Sequence, residues 1–336
     1  MSALPQGAVP ADSATEESTP TGPVTESFGA IVLRRTRYAV AIAICAYIFY
    51  SLGWALVAPT QPPCFATASL WLGAPAAGLM ASVGMLVLLL GCIVLSMALT
   101  HPDVPHIGLY CAGLGLAALS IRGGSIRLVA SQAQVQGQTA TFFTHLAVEA
   151  GLWLLIVLMA EAVSLWLFSR VFKNLVWLQR HGSSPETPEI LQKHDPVNPL
   201  VDITLGKADT PRDWTACLGA LAATVLIGGA LLTIMLRTEL KGQVLFACFV
   251  SFGIAAFAAQ QIFPRTATWA IWAGVPLTAL IGFAMAGHSA FPYPGHVGLA
   301  LSRGLPMDYV AAGIPGAVLG YYTGLRWQIH QIIHEQ

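Results

Sequence analysis

Few residues in this chain carry chemistry, and they stand out against apolar surroundings. The segment THLAVEAGLWLLIVLMAEAVSLWLF (144–168) holds a histidine and two of the chain's 16 acidic residues. A charged group at the centre of a spanning helix costs about 2.5–3.5 kcal/mol on insertion scales. Glu161, eleven residues beyond Ala150, falls about 16 Å into the span at the rise of an α-helix. A carboxyl there fits a proton or cation site, or a structural acid hydrogen-bonded to a neighbour; Gln260 and Gln261 are the amides considered as partners. Glu149 is the second transport or binding candidate. His145 and Glu149 are four apart and share a helix face. MAGHSAFPYPGHVGLALSRGLPMDY (285–309) adds His288, His296 and Asp308. Imidazoles and carboxylates are the ligand types of zinc and similar divalent metals. His145, Glu149, His288, His296 and Asp308 therefore form a candidate metal set, provided that they share one side of a membrane. His101 and His106, in HPDVPH, fall on the opposite side and cannot join it. No cofactor beyond that divalent metal is expected, and no residue is assigned a catalytic role.

The elements that must position these residues are membrane helices. The 336 residues are 55% hydrophobic and 10% charged, with a mean hydropathy of +0.67. Soluble domains carry about 25% charged residues, so most of this surface must face lipid. The 16 basic and 16 acidic residues balance, and no basic stripe points to nucleic acid. Five of the six cysteines lie in apolar runs without a CxxC spacing and read as small hydrophobes. Residues 1–37 read as a cytoplasmic tail, disordered over Met1 to Ser27, without a cleavable signal peptide.

A bilayer core of about 30 Å calls for roughly 20 apolar residues per helix. Seven stretches meet this: Tyr38–Val57, Ala76–Leu99, Gly151–Phe168, Thr215–Leu236, Gln243–Phe263, Ala267–Ala286 and Asp308–Leu325. An eighth, Ile107–Ile121, is short. If it spans, with the N-terminus inside, the inner loops hold 11 Lys and Arg and the outer loops hold 5; if it does not, each side holds 8. Cytoplasmic loops collect basic residues, so the expected fold is an all-α bundle of eight transmembrane helices, a single domain over 38–336. Both termini are expected to be cytoplasmic, in a bacterial inner membrane. The cytoplasmic loop 170–213 starts as an amphipathic interfacial segment and continues as a proline-rich connector. In the last helix Ala312, Gly316, Gly320 and Gly324 recur every fourth residue, a small-residue face suited to close packing within the bundle or between protomers. Pro315 is expected to kink that helix. Pro292, Pro294 and Pro306 make the preceding stretch an outer cap, with Leu299–Leu301 folding back against the bundle.

Gly287-His288-Ser289 with Ser302-Arg303 resembles fragments of the lipid-phosphate phosphatase signature over fewer than 20 residues. The histidine that should follow the arginine is missing, and the two fragments are too close to lie on separate helices, so the resemblance is not adopted. The expected function is that of a structural or accessory subunit of a membrane assembly, in contact with lipid and able to associate with copies or partners through the last helix or loop 170–213. The alternative is a small permease or channel-like protein using the polar interior around Glu161. A metal-dependent membrane enzyme stands third.

Overall fold

The computed structural model describes residues 28–60, 67–71, 75–100, 106–172, 214–264, 266–288 and 298–334. Among these residues there are helices and no strands. They are α1 (Phe28–Ile48), α2 (Pro75–Thr100), α3 (Ile107–Arg122), α4 (Ile126–Val135), α5 (Thr139–Leu167), α6 (Trp214–Met235), α7 (Lys241–Ile262), α8 (Thr268–His288) and α9 (Ile314–His334). Six of the helical runs are long and apolar enough to cross a membrane: Ile31–Val57, Ala76–Thr100, Thr139–Val171, Trp214–Met235, Lys241–Ile262 and Thr268–His288. The expected count of eight adds α3, which at 16 residues is shorter, and α9, whose 21 residues end in the polar run RWQIHQIIH and are less apolar. Large apolar side chains such as Tyr47, Met80, Val87 and Leu226 are exposed on the outer faces, as lipid contact requires.

Several boundaries differ from those read in the sequence. α1 starts at Phe28, ten residues before Tyr38, so only 1–27 of the expected tail lie outside the described residues. α5 starts at Thr139 rather than Gly151, because TATFFTHLAVEA is helix-compatible although less apolar than GLWLLIVLMA, the run next to it. α4 was not foreseen. Its buried Ile126, Val129, Ala130 and Ala133 recur at helical spacing, an amphipathic stripe folded onto the bundle after Gly123. The loop expected at 170–213 lies outside the described residues from 173 onward.

The short helix α3 is the hub. Its ten buried residues surround it, and three glycines each admit a different neighbour. A Cβ on Gly108 would lie 2.9 Å from the Ile93 carbonyl of α2; on Gly115, 2.5 Å from Cys45 Cβ of α1; on Gly113, 2.6 Å from Pro315 Cγ of α9. The most extensive packing joins α7 to α9, followed by α5 with α8. The small-residue face of α9 makes the first of these possible. A Cβ on Gly316 would come within 2.1 Å of the Phe249 carbonyl oxygen, and one on Gly320 within 1.9 Å of that of Gly253. Gly324 rests against Gln260, and Ala312 is buried on the same helical unit. The face is thus filled inside the bundle by α7.

Ahead of α9 the helix is irregular. Pro306–Asp308 forms one α turn, Tyr309–Gly313 a π turn, and regular α-helix resumes at Ile314. Pro315 supplies the cause. It lacks an N–H, and its ring displaces the carbonyl four residues back; a locally wider turn absorbs both.

Candidate functional site

His106 immediately precedes α3 and is fully buried. Its Nε2 lies 2.9 Å from Glu161 Oε1 on α5, and its Nδ1 lies 2.6 Å from the Tyr322 hydroxyl on α9. Thr268, the first residue of α8, donates its hydroxyl to the same Oε1 at 2.5 Å. One tautomer satisfies all three contacts: Nε2–H donates to the carboxylate, and Nδ1 accepts from the phenol. Trp272, one turn beyond Thr268, meets the imidazole edge-on at 5.6 Å, and Tyr321 in turn meets the indole edge-on at 5.6 Å. Four helices thus meet at one imidazole.

Glu161 is 2% exposed, and its surroundings change its place in the bundle. It touches the residue before α3 and the first residue of α8, so it lies level with the starts of two helices rather than halfway along them. The count from Ala150 missed this because α5 begins eleven residues earlier. The position suits a carboxyl, since helix N-termini carry partial positive charge. Its other oxygen, Oε2, has no partner among the described residues, and neither has Trp272 Nε1. Gln260 and Gln261 do not reach Glu161. Gln260 Nε2 donates to Gln328 Oε1 at 3.4 Å, and Gln261 Nε2 to the Gly324 carbonyl at 2.9 Å.

A second polar group closes the opposite end of α3, about 21 Å away at 1.5 Å per residue. Asp308 is 1% exposed. Lys241 Nζ donates to its two oxygens at 2.7 and 3.0 Å, the Ser120 hydroxyl donates to Oδ1, and the Leu305 backbone N–H donates to Oδ2 at 2.7 Å. Beside it Arg303 Nη1 donates to the carbonyls of Leu236 and Arg237 at 2.8 Å each, the position at a helix C-terminus where acceptors are left over. Leu301 packs on Gly282, whose added Cβ would sit 2.7 Å from Leu301 Cβ, so 299–301 does fold back onto the bundle. Between the two polar groups α3 presents Cys111, Ala112, Leu116 and Leu119, all buried.

Glu149 forms a third group. It accepts from the Ser69 hydroxyl, from Trp153 Nε1 at 3.4 Å, and from the backbone N–H groups of Leu70 and Trp71. Thr67–Leu70 are non-helical and buried. Backbone of that kind is tolerated at membrane depth only where protein satisfies it, and Glu149 does so.

The four described residues of the candidate metal set therefore do not gather. Glu149 and Asp308 belong to separate groups, His145 is half-buried on α5, and His288 is exposed at the end of α8. Its neighbour Gly287 lies against Ala140 and Phe143 of α5. His296 and the proline-rich cap 289–297 lie outside the described residues. Among the described residues no three His, Cys, Asp or Glu side chains gather as metal ligands would. Sequence reasoning passed over His106, Tyr322 and Thr268. The one available signal was positional: His106 ends a polar HPDVPH immediately before an apolar helix, on the side opposite the candidate metal set. Set against family models, curated proteins and solved structures, the chain shows no match.

Proposed function

We propose that this chain is an eight-span membrane protein of permease type, with both termini at the inner face of a bacterial inner membrane, and that the His106–Glu161 pair is its proton-handling centre. One observation carries the reading: a fully buried imidazole with each ring nitrogen bonded to a group that can give or take a proton. Ionisable groups placed inside a membrane bundle mark ion and proton routes more often than they mark mere packing. When a proton passes from the Tyr322 hydroxyl to Nδ1, the one on Nε2 passes to Glu161 and the imidazole ends neutral in its other tautomer; the step is complete only when a proton from the aqueous side replaces the one that Tyr322 gave up. Half-buried Thr268 links Glu161 to the inner face. The apolar middle of α3 separates the centre from the Asp308–Lys241 group at the outer face. Access is therefore from one side in this conformation.

Proton uptake after a pH jump, read in weak buffer with a soluble indicator dye, tests the reading on detergent-purified protein. Glu161→Gln keeps the size and hydrogen-bonding capacity of a neutral acid and should fold. It should nevertheless take up fewer protons than the wild type, and His106→Gln/Glu161→Gln fewer still. Equal uptake by all three proteins removes the proton-handling role. Topology is tested separately. A periplasm-active reporter fused after Arg127 should be active and one fused after His194 inactive; the reverse pair of results sinks the eight-span arrangement.

The accessory-subunit reading loses one of its supports, because the α9 face expected to meet a partner is already packed on α7. It leads again if purified protein carries a second chain in fixed proportion and shows no uptake attributable to Glu161.

A further inference from the structure

We propose that Glu161 Oε2 and Trp272 Nε1 are the two ends of a binding site for one small hydroxylic molecule, a water. The inference deepens the proton-handling reading and rests on it for the water's role, though not for its presence. Both atoms are buried without a partner among the described residues, which is costly for a donor and for an acceptor alike. Two independent contacts bring their residues to one imidazole. Glu161 and the Trp272 ring both lie against His106. Trp272 also stands four residues after Thr268 on α8, so it shares a face with the hydroxyl already on the Glu161 carboxyl.

The chemistry of the two atoms selects the guest. An indole N–H can only donate, so a bare cation would meet a hostile dipole there. The guest must accept from Trp272 and donate to Glu161, and a hydroxyl does both. Two hydrogen bonds of about 2.8–3.0 Å bridge atoms up to about 6 Å apart. Thr268, whose hydroxyl oxygen keeps acceptor capacity, is a third candidate partner, and buried waters make two to four hydrogen bonds. The water gives Glu161 a connection that does not pass through His106, so the carboxyl becomes a branch point rather than the end of a chain.

Hydroxyl-radical labelling by X-ray radiolysis reads this directly, because a bound water generates the radical beside the residues it touches. The protein carries its own control. Trp153 is as buried as Trp272, but its N–H already donates to Glu149. In purified protein Trp272 should be oxidised several-fold faster than Trp153, and Trp272→Phe should slow the labelling of Tyr322. Trp272 as unreactive as Trp153 overturns the proposal. So does labelling seen only when glycerol is present, which would assign the site to an added alcohol instead of water. Trp272 labelling combined with unchanged proton uptake in Glu161→Gln keeps the water and removes the proton-handling role. Normal, Glu161-dependent uptake without labelling removes the water alone.

Discussion

Gly320 offers the sharpest quantitative test of how this bundle is held. An alanine Cβ there would lie 1.9 Å from the Gly253 carbonyl oxygen, 2.8 Å from its carbon and 3.0 Å from its Cα. All three atoms are backbone, so no side chain can swing away. Reaching an ordinary contact of 3.4 Å requires α9 and α7 to part by about 1.5 Å, measured along the Cβ–oxygen line. Overpacking of this kind costs about 1–3 kcal/mol, and Gly320 should fall at the upper end because it lies in the most extensive helix pair. The separation also reaches the site. Tyr322 follows two residues later, and its 2.6 Å bond to His106 does not survive a shift of that size. Gly320→Ala should therefore lower the melting temperature in detergent and take up fewer protons than the wild type after the pH jump. Gly91→Ala on α2, where nothing lies within 4 Å of the added carbon, should be neutral or slightly stabilising through helix propensity. If the two alanine variants melt together, the close α7–α9 crossing is wrong.

Lys241→Met leaves Asp308 buried without its cation and should destabilise the protein by about 3–5 kcal/mol, as breaking a buried pair does. Lys241→Met/Asp308→Asn should recover part of that loss, since the amide oxygen can accept from the Leu305 N–H while its NH2 donates to the Ser120 hydroxyl; thermal melts of both variants decide. Glu149→Ala removes the acceptor for Ser69, Leu70, Trp71 and Trp153, and each buried donor left alone costs about 1–3 kcal/mol. The segment 67–71 should then leave the bundle, so a cysteine placed at Ala68 in an otherwise cysteine-free chain becomes reactive to a water-soluble maleimide. If labelling stays at background, the pinning role of Glu149 is refuted.

The helices were legible because lipid imposes a length and a hydropathy on each span. Every expected stretch has a helix in it, including the short Ile107–Arg122. The ends were less legible, because TATFFTHLAVEA lacks the apolar density that marks a span while remaining a good helix. At the site, Glu161 was visible because an acid inside an apolar run has a cost that must be met. Its partners were invisible for a physical reason. His106 and Thr268 sit at helix starts and Tyr322 midway along α9, 55, 107 and 161 residues from it in sequence, and only the crossing of α3, α5, α8 and α9 brings them together. The four described members of the metal grouping stay apart for a related reason. Sharing a side of the membrane fixes depth but not azimuth, and Glu149 and Asp308 face different neighbours. The ladder of Ala312, Gly316, Gly320 and Gly324 marked a close crossing without naming the helix that fills it.

The π turn at Tyr309–Gly313 also governs angular phase. In an unbroken α-helix Asp308 would stand about 80° around the axis from Gly316, at 100° per residue. Treated as one inserted residue, the wider turn takes up one such step and leaves the two about 20° apart. Asp308 and the glycine ladder consequently address the same neighbour, α7, which presents Lys241 to one and its bare backbone to the other. Straightening the helix at constant length, as loss of the Pro315 ring would favour, deletes no atom of the Lys241–Asp308 pair, yet it would turn the aspartate about 100° away from the ladder. The stretch works as a vernier: the width of its turn, more than its side chains, sets which face the carboxylate shows.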